Sequence, residues 1–170
     1  MITVLRIGHR PYRDKRITTH VGLVARAFNA DNILIDTKDE KLENNILSVV
    51  DRFGGTFQVE TGVNWRKILH SWNGKIIHLT MYGEHIDEVF NKITKGVDLL
   101  IIVGSEKVRR EIYEIADYNI AIGHQPHSEV AALALFLDRY FKGSELKIGF
   151  NGKLRIVGSQ KGKIVIEKKA

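Results

Sequence analysis

The stretch Arg10-Pro11-Tyr12-Arg13-Asp14-Lys15-Arg16 places four basic side chains beside an aromatic ring in what reads as a loop. Arginine grips phosphate through a planar bidentate fork, and an aromatic ring stacks on an exposed base. The chemistry open to Arg10, Tyr12, Arg13, Lys15 and Arg16 is therefore the holding of a nucleic-acid strand. The charge pattern agrees. Residues 1–30 carry six Lys or Arg against Asp14 alone, and residues 145–170 carry seven against two acids. Because the net charge is +6 over 170 residues, the middle of the chain is acidic. Two basic ends suit a polyanion laid across two surfaces, each neutralised phosphate releasing a counterion. For the C-terminal lysines, simple solubility is an equal alternative.

Other chemistries are mostly closed. The chain has no cysteine, which excludes disulfides, thiolate zinc sites, iron–sulfur clusters and a thiol nucleophile. His124 and His127 stand three apart but flank a proline that breaks the helical turn a metal pair would use, so no metal is expected. No G-x-G-x-x-G occurs, and none of Gly74-Lys75, Gly152-Lys153 or Gly162-Lys163 is followed by Ser or Thr, which disfavours dinucleotide and triphosphate enzymes. Neither Ser105 nor Ser128 sits in a Gly-x-Ser-x-Gly elbow. At 44% hydrophobic and 27% charged the chain has ordinary globular usage. Its longest apolar run, Leu99-Leu100-Ile101-Ile102-Val103, is far short of the roughly 20 residues that span a bilayer. We expect a soluble, cytoplasmic protein with no membrane partner.

The elements that must position these residues alternate. Residues 1–7 alternate in strand fashion, and Thr18 and Thr19 are plausible caps for a first helix. In that helix Val21, Val24, Ala25 and Phe28 fall at the spacing of a buried stripe, leaving Thr19, Gly22 and Arg26 on the opposite face. Strands are predicted at 32–36, 56–60, 75–80, 98–103 and 118–122, and helices at 39–53, 64–72, 85–95, 107–116 and 128–141. Ser128 can cap the last of these, which is apolar nearly all round from Val130 to Phe141. Such a helix is buried on more than one face, either in a deep core or at a subunit interface. We favour a homodimer through 128–141. After Gly143 the pattern changes to short β runs at 146–150, 154–157 and 163–166.

Strands apolar without a break, alternating with helices, indicate an α/β fold: a parallel sheet covered by helices on both faces. Residues 1–144 form its domain, and 145–170 a basic β-hairpin tail packed on the same domain. In such sheets ligands sit at the carboxyl ends of strands. Three loops qualify, Thr80-Met81-Tyr82-Gly83, Gly104-Ser105-Glu106-Lys107-Val108 and Ile122-Gly123-His124-Gln125-Pro126-His127-Ser128-Glu129, and together they point to a cofactor pocket.

The last two strings, with His20-Val21-Gly22-Leu23-Val24-Ala25-Arg26, resemble the three motifs of SPOUT-superfamily RNA methyltransferases. Segments 8–28 and 104–139 are similar to those of the archaeal tRNA (cytidine(56)-2'-O)-methyltransferase family, over nearly the whole chain. That resemblance implies a C-terminal trefoil knot, S-adenosylmethionine as cofactor, tRNA as partner, two subunits, and methylation of a ribose 2'-hydroxyl. Residue periodicity does not produce a knot, which connection rules disfavour. The resemblance makes Arg26 the catalytic residue, with Gly22 leaving space beside it. It also places Leu79, residues 104–108 and residues 122–129 around the cofactor. Glu106 or Glu129 would attract the sulfonium or amino group, or serve as a helix N-terminal carboxylate. Two positions depart from the wider superfamily: His20 stands where Asn is usual, and Ser128-Glu129-Val130 where Ser-Leu-Asn is usual. The competing readings are an RNA-binding α/β module without catalysis and a SPOUT methyltransferase acting elsewhere on RNA.

Overall fold

A computed structural model describes residues 1–105 and 107–168, in which β-strands and helices alternate around one six-stranded parallel sheet. The elements of that sheet layer are β1 Ile2–Ile7, α1 Lys15–Ala27, β2 Asn32–Ile35, α2 Glu40–Phe53, β3 Gln58–Thr61, α3 Trp65–Ser71 and β4 Lys75–His85. They continue with α4 Ile86–Val89, β5 Leu99–Gly104, α5 Arg110–Ile115, β6 Tyr118–Ala121 and α6 Glu129–Phe141. Strand order is β3-β2-β1-β5-β4-β6, and β1 pairs with β5 in the register Ile2↔Leu99 to Ile7↔Gly104. The apolar run of β5 shows why the sheet must be covered twice. Leu99, Ile101 and Val103 face a core that includes Val21 and Ala25 of α1, Ile46 of α2 and Phe136 of α6; Leu100 and Ile102 face one built with Leu69 of α3 and Ile112 of α5. Each fully buried aliphatic side chain there contributes about 1.5–3 kcal/mol relative to exposure, so these strands dominate stability.

Helix starts follow local chemistry. Asp39 accepts the Leu42 amide at 3.0 Å, and Ser128 accepts the Val130 amide at 3.2 Å, as the sequence predicts for α6. The start of α1 differs. It begins at Lys15, and the two threonines expected as caps lie inside it. The Thr18 hydroxyl is taken by the buried His9 Nδ1 at 2.9 Å, and Thr19 donates back to the Lys15 carbonyl at 2.8 Å. The buried arc of α1 is also turned from the expected stripe. Thr18, Val21, Gly22, Ala25 and Arg26 are buried, whereas Val24 and Phe28 are only partly so. The cause is the neighbours, since α2 presses Ile46 onto the Gly22 backbone and α6 packs along the other flank.

Two further expectations are corrected. The helix predicted at 85–95 is a single turn, α4, followed by a 3-10 turn at Phe90–Lys92, because β4 runs on to His85. In pairing with β6, both Leu79 and Glu84 register against Ile120, so residues 80–83 swing out of the ladder. The strand expected at 146–150 is absent; a 3-10 turn at Glu145–Lys147 leads instead into a segment that bridges Asn151 to Gly54. Beyond it β7 Leu154–Val157 and β8 Ile164–Glu167 form an antiparallel ribbon. Ile156, Ile164, Val165 and Ile166 on that ribbon are exposed.

Candidate active site

At the carboxyl ends of β4, β5 and β6 lies a cavity of about 320 Å³, within the usual span of small-molecule sites, roughly 300–1,000 Å³. The excursion of β4 builds one wall with Thr80, Met81 and Tyr82, beside Leu79. The β5 end supplies Gly104, Ser105, Lys107 and Val108, and the loop into α6 supplies Ile122, His127 and Glu129. Of the residues predicted for the cofactor, these last seven and Leu79 are therefore brought together. Gly123, His124, Gln125, Pro126 and Ser128 share the loop but do not line the cavity. His124, Gln125 and Pro126 are exposed, His124 Nε2 lies 3.1 Å from the Gly83 carbonyl, and Ser128 serves as the cap. Glu106 lies outside the described residues.

Sequence reading missed His78, Tyr113, Ile120 and Ala132 as lining residues, and it noted Thr80 to Tyr82 only as a loop. The one signal for His78 was a polar residue in an otherwise apolar strand. Its state follows from its neighbours. Asn119 Nδ2 donates to the Tyr113 carbonyl at 2.9 Å, which turns Asn119 Oδ1 toward His78 Nδ1 at 2.8 Å. Nδ1 therefore carries the proton and Nε2 the lone pair, and burial pushes the pKa down, keeping the ring neutral. Nε2 is buried without a partner among the described residues. In the same cavity, the Tyr113 hydroxyl and Thr80 Oγ1 are 3.0 Å apart.

Two of the loops predicted for the cofactor are tied by one side chain. Arg6, 1% exposed at the end of β1, donates through Nη1 to the Gly104 carbonyl and pairs through Nη2 with Glu129 Oε1 at 2.8 Å. Glu129 thus lines the cavity while already ion-paired. The first turn after β1 is equally constrained: Gly8 has φ +80° and a Cβ there would fall 2.3 Å from Ser105 Oγ. Its amide and that of His9 donate to the Asp36 carboxylate at 2.7 and 3.1 Å.

Arg26 lies elsewhere. It is 7% exposed and lines a separate cavity of about 670 Å³ with Leu23, Phe53, Phe150 and Arg155; none of its lining residues lines the first cavity. The space expected beside it at Gly22 is filled, since a Cβ on Gly22 would meet Ile46 Cδ1 at 2.5 Å. Arg26 Nη2 donates to the Gly54 carbonyl at 2.7 Å, the guanidinium lies 4.7 Å from the centre of the Phe150 ring, and burial pushes its pKa down. Tyr12, Arg13, Lys15 and Arg16 border a shallow depression with His20 and Asn45, and the Tyr12 ring is fully exposed. Arg10 instead braces the loop, its Nε and Nη2 lying 2.7 and 3.0 Å from the Asp14 carboxylate, which the guanidinium holds below the usual range.

With this geometry in place, likeness to known proteins becomes specific. A family profile described as tRNA ribose 2'-O-methyltransferase, aTrm56, matches residues 53–166. A tRNA (cytidine(56)-2'-O)-methyltransferase of Methanothrix thermoacetophila is 55% identical, the match covering 98% of each chain. The chain belongs to the aTrm56 family. A relative of the same description from Picrophilus torridus is 58% identical over 97% of this chain, which spans 48% of that longer protein. Among solved structures, one described as an RNA 2'-O ribose methyltransferase superposes with a TM-score of 0.61 at 16% identity, covering 84% of this chain and 56% of that one; this shows a shared fold. In this aTrm56 chain the two unusual positions have definite places: His20 is exposed beside the basic depression, and Glu129 is held by Arg6.

Proposed function

We propose that the chain transfers a methyl group from S-adenosylmethionine to the ribose 2'-hydroxyl of cytidine 56 in tRNA, working as a cytoplasmic homodimer. The observation that carries this reading is the convergence of three sheet-edge segments on one cavity in a member of the aTrm56 family. The residues fit such a donor. Leu79, Val108, Ile120 and Ile122 offer apolar walls to a purine, and the partnerless His78 Nε2 offers an acceptor close by. When bound, S-adenosylmethionine would supply an electrophilic methyl carbon; the ribose 2'-hydroxyl would gain that methyl and release its proton to solvent, with S-adenosylhomocysteine as the leaving product.

Arg26 is the catalytic residue of this reading. A guanidinium is protonated at ordinary pH, and even the downward push of burial leaves it a poor proton acceptor, so it stabilises the developing alkoxide by charge. Because Arg26 and the donor cavity sit apart within one chain, we place Arg26 against the donor cavity of the partner subunit. The surface of α6 supports a dimer contact there: Ala131 and Leu135 are exposed, Leu135 at 48%. Arg10, Arg13, Lys15 and Arg16 contact tRNA phosphates and Tyr12 stacks on a base, with Arg10 also bracing the loop through Asp14. The fine topology belongs to the same proposal: residues after β6 thread past the β4 excursion as a trefoil knot. Residues 145–170 are part of the same unit as 1–144. Among the described residues no helix is long and apolar enough to cross a membrane.

The test is incubation of unmodified tRNA with labelled S-adenosylmethionine, nuclease digestion and mapping. Label on the 2'-oxygen of C56 is expected; label on a base, at another position, or none at all would overturn the reading.

A further inference from the structure

The segment after α6 lies over the one arginine on which the proposed chemistry depends. Phe150 stacks its ring 4.7 Å from the Arg26 guanidinium, and the Gly54 carbonyl takes Nη2 at 2.7 Å. Nε is buried without a partner among the described residues, and Nη1 takes no part in the Gly54 contact. The contact is built rather than incidental. Asn151 bridges to Gly54 in antiparallel fashion, and a Cβ at Gly54 would fall 1.9 Å from the Phe150 carbonyl. A Cβ at Gly152 would fall 2.1 Å from the Phe53 carbonyl carbon, so backbone meets backbone with no room for a side chain. Lys153 closes the attachment with an ion pair to Asp51 at 2.6 Å.

We infer that Phe150 is a positioning residue for methyl transfer: with the Gly54 carbonyl it seats Arg26 so that Nη1 is held ready for the charge that forms on the ribose oxygen. This rests on Arg26 being catalytic. A free arginine samples many rotamers, and a group misplaced by about 1 Å can cost on the order of 100-fold in rate. A desolvated cation–π contact is strong enough to select one rotamer over its competitors.

The experiment compares wild type, Phe150→Leu, Phe150→Tyr, Asp51→Asn and Arg26→Ala in single-turnover methylation, donor titration and thermal denaturation. Phe150→Leu should lower kcat by roughly tenfold to thirtyfold, the rate equivalent of about 1.4–2 kcal/mol, with KM for tRNA and donor affinity within about twofold. Phe150→Tyr keeps a ring over the cation and should restore kcat to within about threefold. Asp51→Asn weakens the anchor without removing the ring and should leave kcat near wild type, which separates the seat from general loosening. A wild-type kcat in Phe150→Leu, or equal losses in the Leu and Tyr variants, overturns the seat while leaving catalysis by Arg26 intact. Normal turnover in Arg26→Ala removes the catalytic reading and the seat together.

Discussion

Glu129→Gln tests how the two loops that wall the proposed donor cavity are held together. Arg6 is 1% exposed and pairs with a carboxylate whose side chain is 25% exposed, so the two ends of the pair differ in their access to water. Removing one member of a fully buried pair costs about 3–5 kcal/mol, because the other charge is left without compensation. In Glu129→Gln the stranded charge is the buried guanidinium, which keeps the Gly104 carbonyl and a neutral amide. That remaining support puts the loss below the buried limit, at about 2–3 kcal/mol. For a chain of this size that is a fall in Tm of roughly 5–10 °C. The assay is denaturation of wild type, Arg6→Met, Glu129→Gln and the double variant, with donor titration on each. Once Glu129 is neutral, losing Arg6 no longer strands a carboxylate, so the double variant should be more stable than the sum of the singles predicts by at least about 1 kcal/mol. Donor affinity should fall in both single variants, since each releases one tether between the two loops. Additive losses within about 0.5 kcal/mol, or an affinity loss confined to Glu129→Gln, would refute the tether and make Glu129 a direct ligand of the donor's positive charge.

Acid should unfold the protein in part through Glu43, whose carboxyl accepts from the Thr61 hydroxyl at 2.6 Å and amide at 2.7 Å and is held below its usual range chiefly by that hydroxyl. A carboxyl lowered on folding stabilises above its unfolded pKa and stops doing so as pH falls through the folded one. The urea midpoint should thus drop below about pH 5, and Glu43→Gln should flatten that drop. Under the proposed dimer, wild type should sediment as a dimer and Leu135→Glu as a monomer with little change in Tm; an unaltered dimer, or a monomeric wild type, removes α6 from the interface. Arg16→Ala should reduce the slope of log affinity for tRNA against log salt by roughly 0.7–0.9, as for one lost phosphate contact, and an unchanged slope would take Arg16 off the RNA path.

Much of the fold was legible because its causes are local. The unbroken apolar run of β5 requires cover on both faces, and two separate cores provide it; Ser128 ahead of an apolar helix is a cap on sight. What was hidden depends on distant partners. The β4 excursion exists only against Ile120, and nothing in Thr80 to Gly83 alone announces that the strand resumes. Arg26 reads as a residue on an open helix face until Phe150 closes over it, and Gly22 reads as vacant until Ile46 fills it. Of the donor cavity, the loops at the strand ends were readable, whereas Tyr113 and Ala132 arrive from helices whose orientation follows from packing.

The double registration of Ile120 bears on how the molecule assembles. Leu79 and Glu84 both lie against that residue, so the edge strand cannot complete its ladder until the intervening bulge has taken its shape. Pairing across such sequence separation is slow to form, and the bulge is the same segment that walls the cavity. A small molecule lodged there would fasten the outermost strand to the sheet, making occupancy and the attachment of that strand two views of one equilibrium.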